Sequence, residues 1–483
     1  MFGGLTKTSS RIAIAAALGL TLGGYAMSTP AKAADLGGDC CADLEERVAE
    51  LEATTVRKGN KKVSVTLSGW VIKSMNWWDD GDISSAFVAD KSYDLGSRFA
   101  ITGSATIAPG WSAGYNLTVN AFGTAYGVAG TQIPSNQIDE SGVTGLAPMI
   151  QTLYSYMYVK SDKYGTLNWG HLSPASDNPA VLADISGTVI ESNAVYFEGA
   201  NFLLRPSGAA SGYAGLSALT WGAFTQCTGL TGPVGIGADC FGAAQPAVRY
   251  DTPTFGGFRL ETSYGTNTLT GPAFGVVTPN ANFWDIAAFY NGDWGNFKVS
   301  AAYAYTWQET SVVTGNQDDL HQVGATVMHS PSGLGIYGLY QNESSQGAPS
   351  TDVWYLKPFI KRTWNPLGAT VLYGEYGQYN DQYASLAGAD QCVTGGFGLG
   401  TNVGGFCGNN AANTVGVTGS TMERWGLGAV QEIDSAAMHL FARWQHQDAD
   451  IDFVGTNVNG VNSTVSQGFD DWDLFQVGGI IFF

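Results

Sequence analysis

The chain has 483 residues, of which 65 are glycine, 12% are aromatic and only 13% are charged. Its 22 basic and 41 acidic residues give a formal charge of −19, and no basic stripe is present that could neutralise phosphates, which argues against nucleic acid as a partner. A soluble α/β enzyme of this size would show long segments with helical periodicity, whereas short alternating segments dominate here.

The first 33 residues have the pattern of a secretory signal peptide. Lys7 and Arg11 precede an apolar run over residues 12–20, and Ala31 and Ala33 form an A-x-A cleavage site. The apolar run is short for a membrane-spanning helix. We therefore expect cleavage after Ala33 and export of the protein.

Residues 34–60 are expected to form a separate N-terminal periplasmic segment with one short helix over 43–55. Leu44, Val48 and Leu51 recur with helical spacing, and Asp43 with Glu46 makes a capping box. Two turns of heptad are too few for an isolated coiled coil. The helix either packs on its own chain or forms a small periplasmic bundle at a symmetry axis, and the sequence leaves both open.

From residue 61 onwards the chain reads as strands. In "WSAGYNLTVNAF" (111–122) and "FKVSAAYAYTWQ" (297–308) apolar and aromatic residues alternate with small or polar ones. This period of two predicts strands with one apolar face. A sandwich of two sheets would show the same alternation, so the pattern alone does not separate it from a barrel.

The connections favour a barrel because they alternate in length. Tight turns are predicted near residues 109–111, 161–165, 254–257, 292–296, 331–335, 365–368 and 434–436. Between them lie long polar loops at 79–96, 123–149, 172–245, 266–282, 309–318, 345–351, 381–419 and 451–470. Short turns on one side and long loops on the other are typical of transmembrane barrels. We therefore predict an all-β, 16-stranded antiparallel transmembrane β-barrel over residues 61–483, with both ends periplasmic.

Three stretches resemble the general diffusion porins of Rhizobium-type α-proteobacteria. "SYMYVKSDKYGTLNWGH" resembles the strand pair before the constriction loop, "PAVRYDTPTFGGFRLETSYG" is similar to the pair after it, and "VGGIIFF" resembles the C-terminal outer-membrane signal. The start of the region after the signal, "AADLGGDCCADLEERVAELEA" followed by "KVSVTLSGW", is also similar to these porins. The resemblance makes 172–245 the long constriction loop.

The resemblance also implies the function and its setting. The chain is expected to form a homotrimeric, multi-pass channel in the outer membrane of a Gram-negative bacterium, embedded in outer-membrane lipid. It would pass small hydrophilic solutes and ions by passive diffusion, without a cofactor. Its C-terminal strand, ending in Phe483, would be recognised by the barrel-insertion machinery.

The constriction of such a channel needs carboxylates on the loop that face basic groups on the wall, because their field ranks solutes by charge. The candidate loop carboxylates are Asp177, Asp184, Glu191 and Glu198. Strand alternation points five arginines inward: Arg98, Arg249, Arg259, Arg424 and Arg443. Lys73 shares its alternation with the outward Val71, so we expect it near a strand end.

The sequence also bears on two other functions. An outer-membrane enzyme would need a nucleophile beside a histidine, or a metal site. The five histidines stand in no such motif, so we expect neither catalytic nor metal-binding residues. The nearer alternative is a substrate-selective channel for a sugar or a particular anion, for which eighteen strands and an aromatic track along the pore would be typical.

Six cysteines occur in this exported chain. Cys227 and Cys240 fall in the third long loop, and Cys392 and Cys407 fall in the seventh, so we expect two extracellular disulfides. The adjacent Cys40 and Cys41 would be periplasmic, either free or linking subunits.

Overall fold

A computed structural model of the chain describes most of the residues after position 61. The described residues are 62–91, 95–122, 149–192, 202, 204–205, 221, 224, 244–266, 282–311, 316–345, 350–382, 392–394, 414–456 and 462–483. The predicted signal peptide and the helix at 43–55 lie outside them. Within these ranges no helix is long and apolar enough to cross a membrane.

The described chain forms a single β-sheet of nineteen strands. The strands are β1 (Ser64–Asp79), β2 (Ser84–Ala89), β3 (Arg98–Ala108), β4 (Trp111–Phe122), β5 (Met149–Ser161), β6 (Gly165–Leu172), β7 (Gln245–Asp251), β8 (Phe258–Thr266), β9 (Asn282–Trp294), β10 (Phe297–Ser311), β11 (Asn316–His329), β12 (Leu334–Ser345), β13 (Thr351–Asn365), β14 (Gly368–Asn380), β15 (Cys392–Thr394), β16 (Thr414–Ile433), β17 (Met438–Thr456), β18 (Asn462–Gly468) and β19 (Trp472–Phe482).

The sheet closes on itself as a barrel. Neighbouring strands pair antiparallel around the ring, and β1 pairs with β19 from Trp70–Phe482 to Asp79–Asp473. At the seam the Gly69 amide donates to the Phe483 carbonyl at 2.9 Å, and the Phe483 amide donates to the Gly69 carbonyl at 3.0 Å. Closure leaves no sheet edge facing lipid, which is the condition for a β-structure to span a membrane.

Sixteen of the strands make up the ring, as the sequence predicted. The other three, β2, β15 and β18, are short and lie within three of the long loops. They pair with those ends of β1, β16 and β17 that lie on the long-loop side. The predicted tight turns join the strands at the opposite end. One of them needs a glycine, because Gly333 has φ +69° and a Cβ there would lie 2.0 Å from the Lys361 carbonyl oxygen.

The two faces of the wall differ as the alternation predicts. Outward residues such as Val71 and Met75 are exposed, whereas the intervening inward residues Ile72 and Asn76 are buried. Outward aromatic residues form rows near the strand ends, for example Trp77 with Phe475, whose ring centroids are 5.7 Å apart. Such rows mark the two boundaries of the apolar band in membrane barrels.

The expectation that Lys73 lies near a strand end is wrong. The residue lies in the interior of β1 and not near a strand end. Its ammonium is paired with the Asp90 carboxylate, which is almost fully buried. The alternation rule gave its direction, but a lone sequence gives no means of seeing a pairing partner that lies in the loop after β2.

Candidate functional site

Part of the third long loop folds into the barrel. We call residues 173–192 the constriction segment. It begins against β8 and β9, where the Ala175 amide donates to the Ser263 hydroxyl at 3.0 Å and the Ser176 amide donates to the Asp285 carboxylate at 2.8 Å. The Gln322 side chain on β11 then donates to the Ser176 carbonyl at 2.8 Å. Since these wall residues point inward, the segment runs along the inside of the wall.

A short helix, α1 (Pro179–Leu182), presses the segment onto β11. Pro179 suits the first helical turn because it has no amide hydrogen to satisfy there, and Asn178 before it adopts a left-handed conformation. A Cβ at Gly324 of β11 would lie 2.0 Å from the Ala180 carbonyl oxygen, so a glycine is required at that contact. The Tyr337 hydroxyl donates to the same carbonyl at 2.9 Å.

The first ion pair between segment and wall joins Asp184 to Lys357. Both side chains have 0% exposure, and the ammonium also donates to the Thr188 hydroxyl at 2.6 Å. Lys357 lies on the inward face of β13, between Tyr355 and Phe359. The Asp184 charge is therefore neutralised against the wall and does not face open water.

A second ion cluster surrounds Glu191 at the far end of the segment, in the four-residue helix α2 (Val189–Ser192). Its carboxylate lies 2.7 Å from the Lys91 ammonium and 3.1 Å from the Arg443 guanidinium. Both cations also donate to the Gln476 side-chain oxygen, at 2.6 Å and 3.1 Å. The segment thus reaches the part of the wall formed by β17, β19 and the loop before β3.

The inward arginines of β16 and β17 serve buried contacts. Arg443 takes part in the Glu191 cluster, and Arg424 pairs with Glu375 at 3.3 Å with both side chains almost fully buried. The Tyr355 hydroxyl donates to the same Glu375 carboxylate at 2.6 Å. These two arginines therefore stabilise the buried contacts inside the barrel near β16 and β17.

Of the other three predicted arginines, Arg98 lies on β3 next to β1, and Arg249 and Arg259 lie on β7 and β8, across the ring from β16 and β17. Arg98 stacks over the Trp70 ring at 4.8 Å, and Arg259 lies over the Phe289 ring at 4.5 Å while its guanidinium contacts Glu261 at 2.8 Å. Arg249 donates to the Ser173 carbonyl at 2.8 Å and so contacts the start of the constriction segment. Arg259 keeps 43% of its side chain exposed to the lumen.

For the remaining candidate residues the structure describes few contacts or none. Asp177 is partly exposed and accepts hydrogen bonds from the Ser173 hydroxyl and from the Asn178 side-chain amide, the latter at 3.1 Å. Glu198, Cys227, Cys240 and Cys407 lie outside the described residues. Cys392 begins β15, but its side chain is outside the described part.

The exposed side of the constriction segment is largely apolar. Leu182 is 58% exposed and Val189 is 37% exposed, whereas their neighbours Ala183 and Ile190 are buried. The carboxylates were predicted from the sequence to face the pore, but the basic residues that hold them, Lys91 and Lys357, were not predicted. Lys357 carried a usable signal, because alternation along β13 points it inward. Lys91 lies in a loop and carried none.

The chain is similar to a known protein family and to solved structures. A family model described as Gram-negative porin matches residues 15–396. OprB of Pseudomonas putida is similar in structure, with 11% identity, a TM-score of 0.50, and coverage of 91% of this chain and 97% of that one. The anion-selective porin of Comamonas acidovorans is 16% identical with a TM-score of 0.49, covering 87% of this chain and 100% of that one. No curated protein matches the chain.

Proposed function

The chain belongs to the family of Gram-negative porins, and from that premise we propose that it forms a water-filled channel for passive diffusion of small hydrophilic solutes and ions. It is a multi-pass protein of the outer membrane. The observation that carries the function is the closed ring of sixteen strands with one loop segment folded along its inner wall. A ring of this size is wide enough for an aqueous channel, and the segment narrows it.

A substrate-selective channel is the second candidate. Its expected signs were eighteen strands and an aromatic track along the pore. The described residues form a ring of sixteen strands, which is not the number expected of that channel. The general diffusion channel is therefore the function that we adopt.

The channel function is tested by planar-bilayer recording of the purified protein. A general diffusion channel gives steps of current that increase in proportion to salt concentration. Added sugars or single anions should leave the current unsaturated, because no solute binds tightly. A current that saturates with one solute at micromolar to millimolar concentration would instead establish the selective channel.

The assembly and processing of the chain follow from the porin resemblance. Residues 1–33 would be removed as a signal peptide, residues 34–60 would form the periplasmic segment, and residues 61–483 would form the barrel. The chain would assemble as a homotrimer after its C-terminal strand, ending in Phe483, has engaged the barrel-insertion machinery. What supports this is the similarity of "VGGIIFF" to the outer-membrane signal.

We assign ion selectivity to Arg98, Arg249 and Arg259 on the wall. Asp184 and Glu191 are paired with basic groups and fully buried, whereas Arg259, although paired with Glu261, keeps 43% of its side chain exposed, and we group Arg98 and Arg249 with it as contributors to the field in the lumen. Replacing the three together by serine should raise the ratio of cation to anion permeability severalfold, as read from the reversal potential in a salt gradient. An unchanged reversal potential would place these arginines away from the narrowest point.

A further inference from the structure

The inner wall has an apolar patch towards the long-loop ends of β1, β16, β17 and β19. Its residues lie on the inward faces of these strands and are almost fully buried, namely Trp78, Met422, Ile451, Trp472 and Leu474. We call these five residues the apolar niche. The lumen of a transmembrane barrel is normally polar, as it is at the same ends of β10 and β13, where Gln308 and Thr351 point inward. An apolar surface inside a water-filled barrel is stable only when it is covered.

Four side chains of the third long loop cover the apolar niche. Phe202, Leu204, Trp221 and Phe224 are each exposed by 1% or less. We call these four residues the loop anchor. The ring centroid of Phe202 lies 5.1 Å from that of Trp78 and 4.9 Å from that of Trp472. The loop anchor follows the constriction segment in the chain, so the same loop contacts the inner wall a second time.

Polar contacts fix the loop anchor at both ends of the niche. The Trp221 amide donates to the Phe202 carbonyl at 2.9 Å, which joins the two parts of the anchor. The Asp470 amide, just before β19, donates to the Arg205 carbonyl at 2.9 Å. The Arg205 guanidinium lies 2.8 Å from the carboxylate of Asp80, which follows β1 and is only 1% exposed. The contact of the loop with the wall is therefore specific in both its polar and its apolar parts.

The loop anchor lies on the long-loop side of the Glu191 ion cluster. Trp472 and Gln476 both point inward from β19, and Gln476 accepts hydrogen bonds from Lys91 and Arg443 of that cluster. Four residues at about 3.3 Å each and a strand tilt of about 40° correspond to roughly 10 Å along the barrel axis. The third long loop thus contacts the wall near β17 and β19 at two successive levels.

We propose that the loop anchor is a second restriction of the channel, in series with the constriction segment, and that it limits the conductance. The inference rests on the water-filled channel of the proposed function and adds a second group of residues that determines how much passes. The four side chains hold the loop inside the lumen because detachment would expose them to water. Ala180 and Val181 of the constriction segment belong to the same buried apolar cluster as the niche, so the two restrictions are packed together.

The second restriction is tested with the double variant Phe202→Asp and Phe224→Asp. A carboxylate is not tolerated in an apolar niche, so the loop anchor should detach. The single-channel conductance should then rise about twofold, because one of two restrictions in series is removed. In detergent micelles, chymotrypsin should cleave after Trp221 at least tenfold faster than in the unmodified protein, as read by mass spectrometry of the fragments.

Two further variants serve as controls. Phe255→Asp introduces the same charge at a residue that is 87% exposed in a short turn at the opposite end of the barrel. It should change neither the conductance nor the cleavage after Trp221. The double variant Phe202→Leu and Phe224→Leu keeps the niche covered by apolar side chains and should match the unmodified protein in both measurements.

Folding of each variant is checked by the difference in gel migration between unheated and heated samples. If the double aspartate variant does not fold, Phe202→Ala with Phe224→Ala removes the same contacts without adding a charge and carries the same expectations. A folded variant in which Trp221 stays protected would overturn the attachment of the loop. A folded variant with faster cleavage after Trp221 but unchanged conductance would overturn the second restriction.

These outcomes are distinct from failure of the channel function. If the unmodified protein gives no current in a planar bilayer, the proposed channel is wrong and the second restriction falls with it. If the unmodified protein conducts and the detached variant conducts equally, only the second restriction is wrong and the channel function stands.

Discussion

At the scale of single residues, the charges that organise the lumen are buried in ion pairs and are not exposed to the pore. Asp184 and Glu191 have the charge and the loop position expected of pore carboxylates, yet both are in contact with basic groups of the wall. Burying an ion pair is costly, and removing one partner leaves the other uncompensated. The pairs therefore fix where the constriction segment lies more than they set the charge of the pore.

The Asp184–Lys357 pair gives a direct test of this role. Lys357→Met should destabilise the seated position of the segment by roughly 3–5 kcal/mol, because Asp184 would remain buried without its partner. We expect faster proteolysis within residues 173–192 and a larger, noisier single-channel current. The double variant Lys357→Met with Asp184→Leu should recover most of the loss, since a matched apolar pair is tolerated.

A matched single variant serves as control. Lys361 pairs with Glu432 four residues further along β13, but both side chains are partly exposed. Lys361→Met should therefore cost about 1 kcal/mol or less. Equal effects of the two substitutions would show that burial of the Lys357 pair is irrelevant to the position of the segment.

At the scale of elements, strands were predictable and the loop path was not. Alternation in "FKVSAAYAYTWQ" places Tyr303 outward and Ala304 inward, because successive side chains of a strand point to opposite faces. The path of residues 173–192 depends on contacts such as Ser176 with Gln322 and Glu191 with Lys91, which are 146 and 100 residues apart in sequence. No local pattern encodes such distant pairs, so the direction of Asp184 and Glu191 away from the pore could not be read from the sequence.

The helix expected at 43–55 stays a prediction of the sequence, since it lies outside the described residues. If three copies cluster on the periplasmic side, deletion of residues 40–56 should lower the temperature at which trimers dissociate on a gel. The double substitution Leu44→Asn and Leu51→Asn, which keeps the length but removes the apolar face, should have the same effect. An unchanged dissociation temperature would show that the helix packs only on its own chain.

At the scale of the whole molecule, the barrel places the short turns on one side of the membrane and the long loops on the other. The seam between β1 and β19 and the alternation of short and long connections confirm the predicted closed ring of sixteen strands. This much followed from the sequence because periodicity and turn residues are local properties. The short strands β2, β15 and β18 were not foreseen, since their segments read as polar loops.

The cysteines test the assignment of sides. Peptide mapping without reduction should return the bonds 227–240 and 392–407, both on the long-loop side. Each closes a small loop and contributes about 3 kcal/mol in the chain-entropy model for roughly 15 residues. Cys40 and Cys41 would be on the other side. A bond within one chain from either of them to a loop cysteine would contradict the barrel topology.

The seam also has a consequence for the order of events during biogenesis. Gly69 and Phe483 exchange backbone hydrogen bonds across the seam. The strand β1 is synthesised early, but the strand that pairs with it here ends more than 400 residues later in the chain. Until then β1 presents an open edge, which invites pairing with other chains. The hydrogen bonds between Gly69 and Phe483 therefore form only after the last strand has been synthesised, and they remove the open edge of β1.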